Sequence, residues 1–294
     1  MMQTWTLRKL SRNVNEITFW DVPANDSVWL LLRTDVHHDN PKCLQCVERK
    51  HLTEAIEHNA PVIDNGDLFC AMQGKYDRRN NKTAIRPEHQ TAKYLDSLVD
   101  TAIDFYRPFA SIFAVLGRGN HETKIQDVHE TDLTDRLAVG LRAHGSQVET
   151  SGYGGWVRVT FKKSKGKEQT NRGSFWLHHY HGTGGGGPVT KGTIQTNRIA
   201  ADTPDARVVF TGHTHDSWIF PIRRQRISER GNIYHDDQLH LRAPGYKDAW
   251  DDGDNGFEVE KRHGPKGIGA LWLQVTPDIE GKPGGLLIDA QRAQ

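Results

Sequence analysis

The chain divides by the period of its apolar positions. Up to about residue 144, compact apolar runs alternate with segments whose apolar residues recur at helical spacing, and from Tyr153 onward the pattern shifts towards β. The runs at 28–32, 61–63 and 112–116 have the length and composition of buried strands, and 3–7 alternates enough to be another. Between them Leu44, Val47, Leu52, Ala55 and Ile56 predict a helix to about Asn59. Tyr94, Leu95, Leu98, Val99, Ala102 and Phe105 form the stripe of a second helix, from Pro87 or Glu88 to Tyr106, and Leu133, Leu137 and Leu141 carry a third over 132–144. Further on, 156–161 and 174–178 read as a hairpin with the polar 162–172 segment as its turn, and 191–201 as a helix. Strands are expected at 207–210, 218–222, 233–241, 270–275 and 285–289.

The first half therefore reads βαβαβα and the second is mostly β. An economical way to bury these faces is an α/β arrangement of two mixed sheets face to face, with helices covering the outside. No repeat, low-complexity tract or linker divides the chain. A single domain over 1–294 is expected, with a motif-bearing core at about 28–220 and a β-rich part at 221–294 completing the sandwich.

What the runs end in changes the picture. Five exits carry Asp35-Val36-His37, Gly66-Asp67, Gly119-Asn120-His121-Glu122, His179-Tyr180-His181-Gly182 and Gly212-His213-Thr214-His215. Parallel strands end at one edge of a sheet, so loops leaving them bring remote residues together. Carboxylate, amide oxygen and imidazole are the ligands of hard to borderline divalent metals. In Asp35/His37, His179/His181 and His213/His215 one residue separates the pair, so an extended backbone would turn both side chains to one side. Asp67 after Gly66 can bridge two ions through its two oxygens. Two ions roughly 3.5–4 Å apart can share a hydroxide, orient a phosphate and lower the water pKa toward ~7. His121, beside Asn120, would be presented at the mouth of such a site and could protonate the leaving alkoxide.

Composition adds exclusions. Lys plus Arg is 38 against Asp plus Glu 37, so bulk charge selects no polyanionic partner, and no segment is apolar for the roughly 18 residues a bilayer needs. The first ten residues lack the apolar core of a secretory signal. The three cysteines, Cys43, Cys46 and Cys70, describe no disulfide framework. A reducing, cytoplasmic setting is the expectation. Cys43 and Cys46 have a CxxC spacing without a second pair to complete a zinc site. Sixteen histidines, six of them in the five exits, favour metal chemistry.

The series DxH, GD, GNHE, HG and GHTH, in this order over residues 35–215, resembles the calcineurin-like metallophosphoesterase superfamily. The resemblance implies a four-layer αββα sandwich with two divalent ions, manganese first and iron, zinc or nickel as alternatives. It implies a hydrolase cleaving phosphomonoesters or phosphodiesters. Carried over, Asp35, His37 and His215 would hold one ion, Asn120, His181 and His213 the other, and Asp67 would bridge them. His179 is the alternative to His181. His121 would be the general acid, with Glu122 or Asp64 orienting it. The segment 66–70 lacks the further acid of the protein phosphatases, which counts against that activity. Residues 39–42 and the loop 72–79 resemble features of uncharacterised members, some of them phage-borne, for which the setting would be host cytoplasm.

For the substrate, Arg78, Arg118 and Lys191 are candidate phosphate contacts, and Tyr246 is a candidate for stacking or lining the pocket. The glycine cluster at 184–187 lacks P-loop spacing and reads as a loop. The expected partner is a phosphate ester, nucleotide or nucleic acid included. The basic stretch from Lys75 to Arg86 leans towards a nuclease, while the balanced charge leans away from one. A non-catalytic, partner-binding scaffold with the same fold is the reading from another class. An isolated Asp at a strand exit is more often a cap or turn residue, and it is the joint occurrence that sets the set apart.

Overall fold

The computed structural model describes residues 4–71, 85–165, 168–182, 190, 192–251, 253–254 and 257–293. The elements, in order, are β1 (Thr4–Ser11), β2 (Val14–Trp20), β3 (Val28–Arg33), α1 (Gln45–Glu57), β4 (Val62–Asp64), α2 (Tyr94–Tyr106) and β5 (Phe113–Leu116). There follow α3 (Asn120–His129), α4 (Leu133–Ala143), β6 (Glu149–Thr150), β7 (Gly154–Lys165), β8 (Glu168–Tyr180), α5 (Thr196–Asp202) and β9 (Ala206–Thr211). The chain closes with β10 (Trp218–Ile227), β11 (Ile233–Arg242), β12 (Leu271–Thr276) and β13 (Leu287–Arg292).

Two mixed sheets result. One has the order β1-β2-β7-β8-β9-β11-β10 and the other β13-β12-β3-β4-β5-β6. Side-chain alternation decides what each face meets: Val28, Leu30 and Leu32 of β3 enter the core between the sheets, and Leu31 joins the core under the helices. In β12, Leu271, Leu273 and Val275 face inward and Trp272 the helix side. Leu52 of α1, Leu98 and Val99 of α2, and Leu133, Leu137 and Leu141 of α4 close over Leu31, Val62 and Phe113. Each such burial contributes about 1.5–3 kcal/mol. Asp132 starts α4 by accepting the Asp135 N–H at 3.0 Å.

The outer face of the seven-stranded sheet carries less. Among the described residues α5 lies over β8 and β9, leaving a cavity of about 440 Å³ lined by His178, Tyr180, Arg198, Ile199 and Thr203. No helix among the described residues is long and apolar enough to cross a membrane.

Some local expectations change. The 162–172 segment is not a turn, because β7 runs to Lys165 and β8 begins at Glu168. The second helix begins at Tyr94, after a separate 3₁₀ turn at Pro87–His89. β2 and α3 had no counterpart in the periodicity. α3 buries only Glu122 and Ile125, so it leaves no apolar stripe to read. The loop 72–79, Arg78, Lys191 and the 184–187 glycines lie outside the described residues.

β3, β4, β5 and β6 pair in parallel, as do β8 and β9. Their carboxyl ends therefore open on the same edge of the sandwich. Asn65 Nδ2, just past the end of β4, donates to Tyr180 O of β8 at 2.9 Å, which ties the two edges together there.

Candidate metal centre

The loops at this edge are not extended. Asp35 and His37 have φ of 50°, Asp67 51°, His213 85° and His215 55°. This is the left-handed region, which costs a non-glycine residue on the order of 1–3 kcal/mol and persists where surrounding contacts over-determine it. The side chains thus meet through left-handed turns instead of the expected strand alternation. Asp35 N donates to Gly66 O (3.0 Å), His37 N to Asp67 O (3.0 Å) and His38 N to Leu68 O (2.7 Å), lacing the first two loops together. Gly66 (φ 99°) packs so closely that a Cβ would lie 2.4 Å from Arg118 C and Gly119 N.

Two clusters form. The ligand atoms of Asp35, His37 and His215 lie within 4.8 Å of one another, and so do those of Asp67, His181 and His213. His215 Nε2 is 3.7 Å from Asp35 Oδ1, and the His37 and His215 rings stack at 5.2 Å. Asp35 Oδ2 accepts from Thr34 Oγ1 (2.8 Å) and from the His213 N–H (2.7 Å), linking the clusters. Asp35 Oδ1, both ring nitrogens of His37 and Asn120 Oδ1 are buried without a hydrogen-bond partner. Orphans of this kind cost about 1–3 kcal/mol each. Oxygen and imidazole donors so arranged fit divalent metal ions.

His181 is the clearest case. Its Nδ1 meets Asn65 O at 2.9 Å and donates there, so the Nε2 lone pair points at Asp67 Oδ2, 3.1 Å away. Two acceptors that close need a proton or a cation between them. Burial opposes the imidazolium, but Asp67 outweighs it and raises His181 to about 10. Burial likewise opposes the Asp67 carboxylate, and His181 and His121 hold it well below its usual range.

His179 takes a different part. Its Nδ1 bonds Asn65 Oδ1 (3.0 Å) and its Nε2 Ser151 Oγ (3.1 Å), and burial pushes it down to about 3. With both nitrogens engaged, it braces Asn65, whose carbonyl sets the His181 tautomer.

His121 follows Gly119 and Asn120 at the start of α3. Its N–H donates to Asp67 Oδ1 at 3.0 Å, Nδ1 meets Cys70 O at 2.5 Å, and Nε2 lies 3.9 Å from Asp67 Oδ2. The two carboxylates expected to orient it are occupied elsewhere. Glu122 accepts the backbone N–H groups of Asp67 (3.1 Å), Phe69 (2.8 Å) and Gly119 (2.9 Å), which fixes the Asp67 loop instead. Asp64 pairs with Arg33 Nε at 2.7 Å and accepts from Gly66 N at 3.0 Å.

Of the substrate candidates, Arg118 pairs with Asp132 at the rim and is partly exposed. Tyr246 is a correction: it is fully buried, with its hydroxyl 3.0 Å from His51 Nδ1, so it packs the core and touches no substrate. Sequence reasoning missed Thr34, Asn65 and Arg242. Arg242 Nη1 donates to Thr214 Oγ1 (3.1 Å), between His213 and His215, from a strand with no motif to announce it.

The approach of Gly119 to Asp67 gives a test. A Cβ there would lie 2.0 Å from Asp67 Oδ1 and 2.4 Å from Asp67 N. Gly119→Ala is expected to displace Asp67 and weaken uptake of a divalent cation by about 10–100-fold, read by calorimetry.

No family model and no curated protein matches the chain. Among solved structures it is similar to Vps29 complexed with zinc from Entamoeba histolytica, at 10% identity and TM-score 0.35, over 90% of this chain and 99% of that one. It is similar to a predicted phosphoesterase from Streptococcus pneumoniae TIGR4 at 12% identity and TM-score 0.31, over 91% and 100%. A metallophosphoesterase from Sphaerobacter thermophilus is similar at 13% identity and TM-score 0.30, over 91% and 89%. Likeness at this level bears on neither substrate nor mechanism, and none of it supports a phage origin.

Proposed function

We propose that the protein is a metal-dependent phosphoesterase with a dinuclear centre, manganese being the first choice of ion. Asp35, His37 and His215 would hold one ion, Asn120, His181 and His213 the other, and Asp67 would be shared by the two. What supports this reading above all is the pairing of two ligand clusters, Asp35–His37–His215 and Asp67–His181–His213, at the carboxyl ends of strands from both sheets. Bound divalent ions would supply Lewis-acid charge for a phosphate and a water of lowered pKa.

The chain's own groups do the rest. The Asn65 carbonyl orients His181, and Glu122 and His121 hold Asp67 through backbone N–H groups. Asp35, Asp67 and His181 are buried, whereas the His121 and His215 side chains are 13% and 17% exposed and His213 is exposed, so substrate approaches past these three. His121 Nδ1–H donates to Cys70 O, so the proton delivered to the leaving oxygen is the one carried on Nε2.

The test is hydrolysis of bis(p-nitrophenyl) phosphate and p-nitrophenyl phosphate with Mn²⁺, Fe²⁺, Zn²⁺ or Ni²⁺, beside calorimetric metal titration. Turnover of at least one ester and its loss in Asp67→Asn are expected. Metal uptake without turnover would instead favour the partner-binding scaffold, and no uptake would end the case. Metal removal should also be visible in stability: Mn²⁺ at about 1,000 times its Kd is expected to add about 4 kcal/mol per site over the chelated protein, read from urea unfolding.

A further inference from the structure

Cys70 follows three residues after Asp67, and its surroundings set it apart from the other thiols. Cys46 is exposed and Cys43 lies in the core beneath the helices, whereas Cys70 is 1% exposed beside the candidate centre. Its backbone is held on both sides: Asp39 Oδ1 accepts its N–H at 2.5 Å, Asp39 Oδ2 accepts the Ala71 N–H at 2.8 Å, and its carbonyl takes His121 Nδ1. Asn40 Nδ2 donates to Sγ at 3.3 Å. The thiol is thereby placed where its sulfur and one nitrogen each of His37 and His121 lie within 4.8 Å of one another. A buried cysteine is usually plain packing. A second observation points to a ligand: His37, 2% exposed, belongs both to this triad and to the Asp35–His37–His215 cluster, and neither of its two ring nitrogens has a hydrogen-bond partner.

We propose that His37, Cys70 and His121 form a binding position for a thiophilic divalent cation, zinc or cadmium, and that filling it suppresses phosphoester hydrolysis. The inference rests on the dinuclear reading above and assigns that site a means of inhibition. One sulfur and two imidazoles are a borderline-soft set that favours such ions over manganese or magnesium. Ligation exchanges the Sγ–H bond for an Sγ–metal bond and releases one proton to solvent, and nothing is oxidised or reduced. His121 Nδ1 is committed to Cys70 O, so the ligating atom is Nε2, the atom that must carry a proton to the leaving group. Drawing in His37 also withdraws it from Asp35 and His215.

The experiment adds CdCl₂ to the Mn²⁺-loaded protein and follows two readouts, the thiolate-to-cadmium absorption in the near ultraviolet and hydrolysis of a phosphodiester. In wild type the absorption is expected to rise as hydrolysis falls, and Cys46→Ser, which removes the exposed thiol, keeps both responses. Cys70→Ser loses the absorption and needs about tenfold more cadmium or beyond to halve its own uninhibited rate. Should Cys70→Ser not fold, Cys70→Ala and the cadmium NMR shift of the wild type decide the matter, since that shift separates mixed sulfur and nitrogen ligation from nitrogen and oxygen alone. Absorption that persists without Cys70, or is absent in wild type, overturns the proposal. Manganese uptake with turnover but no cadmium absorption overturns the cysteine position alone, whereas failure to take up manganese overturns the reading beneath it.

Discussion

Arg33→Met is expected to destabilise the protein by about 3–5 kcal/mol, seen as a fall in the urea midpoint. Arg33 is fully buried, with Nη1 2.6 Å from Glu48 Oε1, Nε 2.7 Å from Asp64 Oδ2, and its guanidinium 4.9 Å from the Tyr106 ring centre and 5.0 Å from that of Phe113. Methionine matches much of the volume but leaves two buried carboxylates without their cation. The Tyr106 hydroxyl still donates to Glu48 (2.5 Å) and Gly66 N to Asp64 (3.0 Å), which does not replace a charge. The pH dependence has a definite sign. Burial outweighs Arg33 and already raises Asp64 to about 6 from 3.8, so the native carboxyl holds a proton that the unfolded one has lost, and stability falls as pH rises through this window. Loss of Arg33 raises the folded value further, so the deficit should be larger at about pH 8 than at about pH 5. An unchanged midpoint would show that the trio is not holding β3, β4 and α1 together. Because Arg33 leads into Asp35 and Asp64 into Asp67, Mn²⁺ uptake should weaken as well.

His121→Ala is expected to lower kcat by about 10²–10⁴-fold for a phosphodiester with an alkoxide leaving group. A p-nitrophenyl ester should lose much less, because nitrophenolate departs without a proton. Mn²⁺ uptake should persist, since alanine keeps the backbone N–H that holds Asp67 Oδ1. Equal losses on both esters would assign His121 to metal binding or structure and remove it as the proton donor.

Much of the architecture was legible in the chain because burial and backbone period are local. The run at 28–32 announced β3, and the spacing of Leu133, Leu137 and Leu141 announced α4. α3 was not legible, since it is held by Glu122 capping its first turn and buries only one apolar side chain, Ile125. The residues of the candidate centre were visible as a series of polar groups at strand exits. How they meet was not: Asp35, His37, Asp67, His213 and His215 adopt left-handed backbone, which long-range packing such as Gly66 against Arg118 enforces.

By itself, then, the sequence determined the alternation of strands and helices, the two-sheet layering and the set of polar residues at one edge, because periodicity and turn chemistry act over a few residues. The tertiary structure alone decided that His179 serves Asn65 and Ser151 while His181 faces Asp67, that Glu122 binds backbone rather than His121, that Tyr246 is core, and that Cys70 joins His37 and His121. The allegiance of a ring nitrogen, a carboxylate or a thiol is set by partners that in several of these cases lie more than fifty residues away, and no local pattern encodes it.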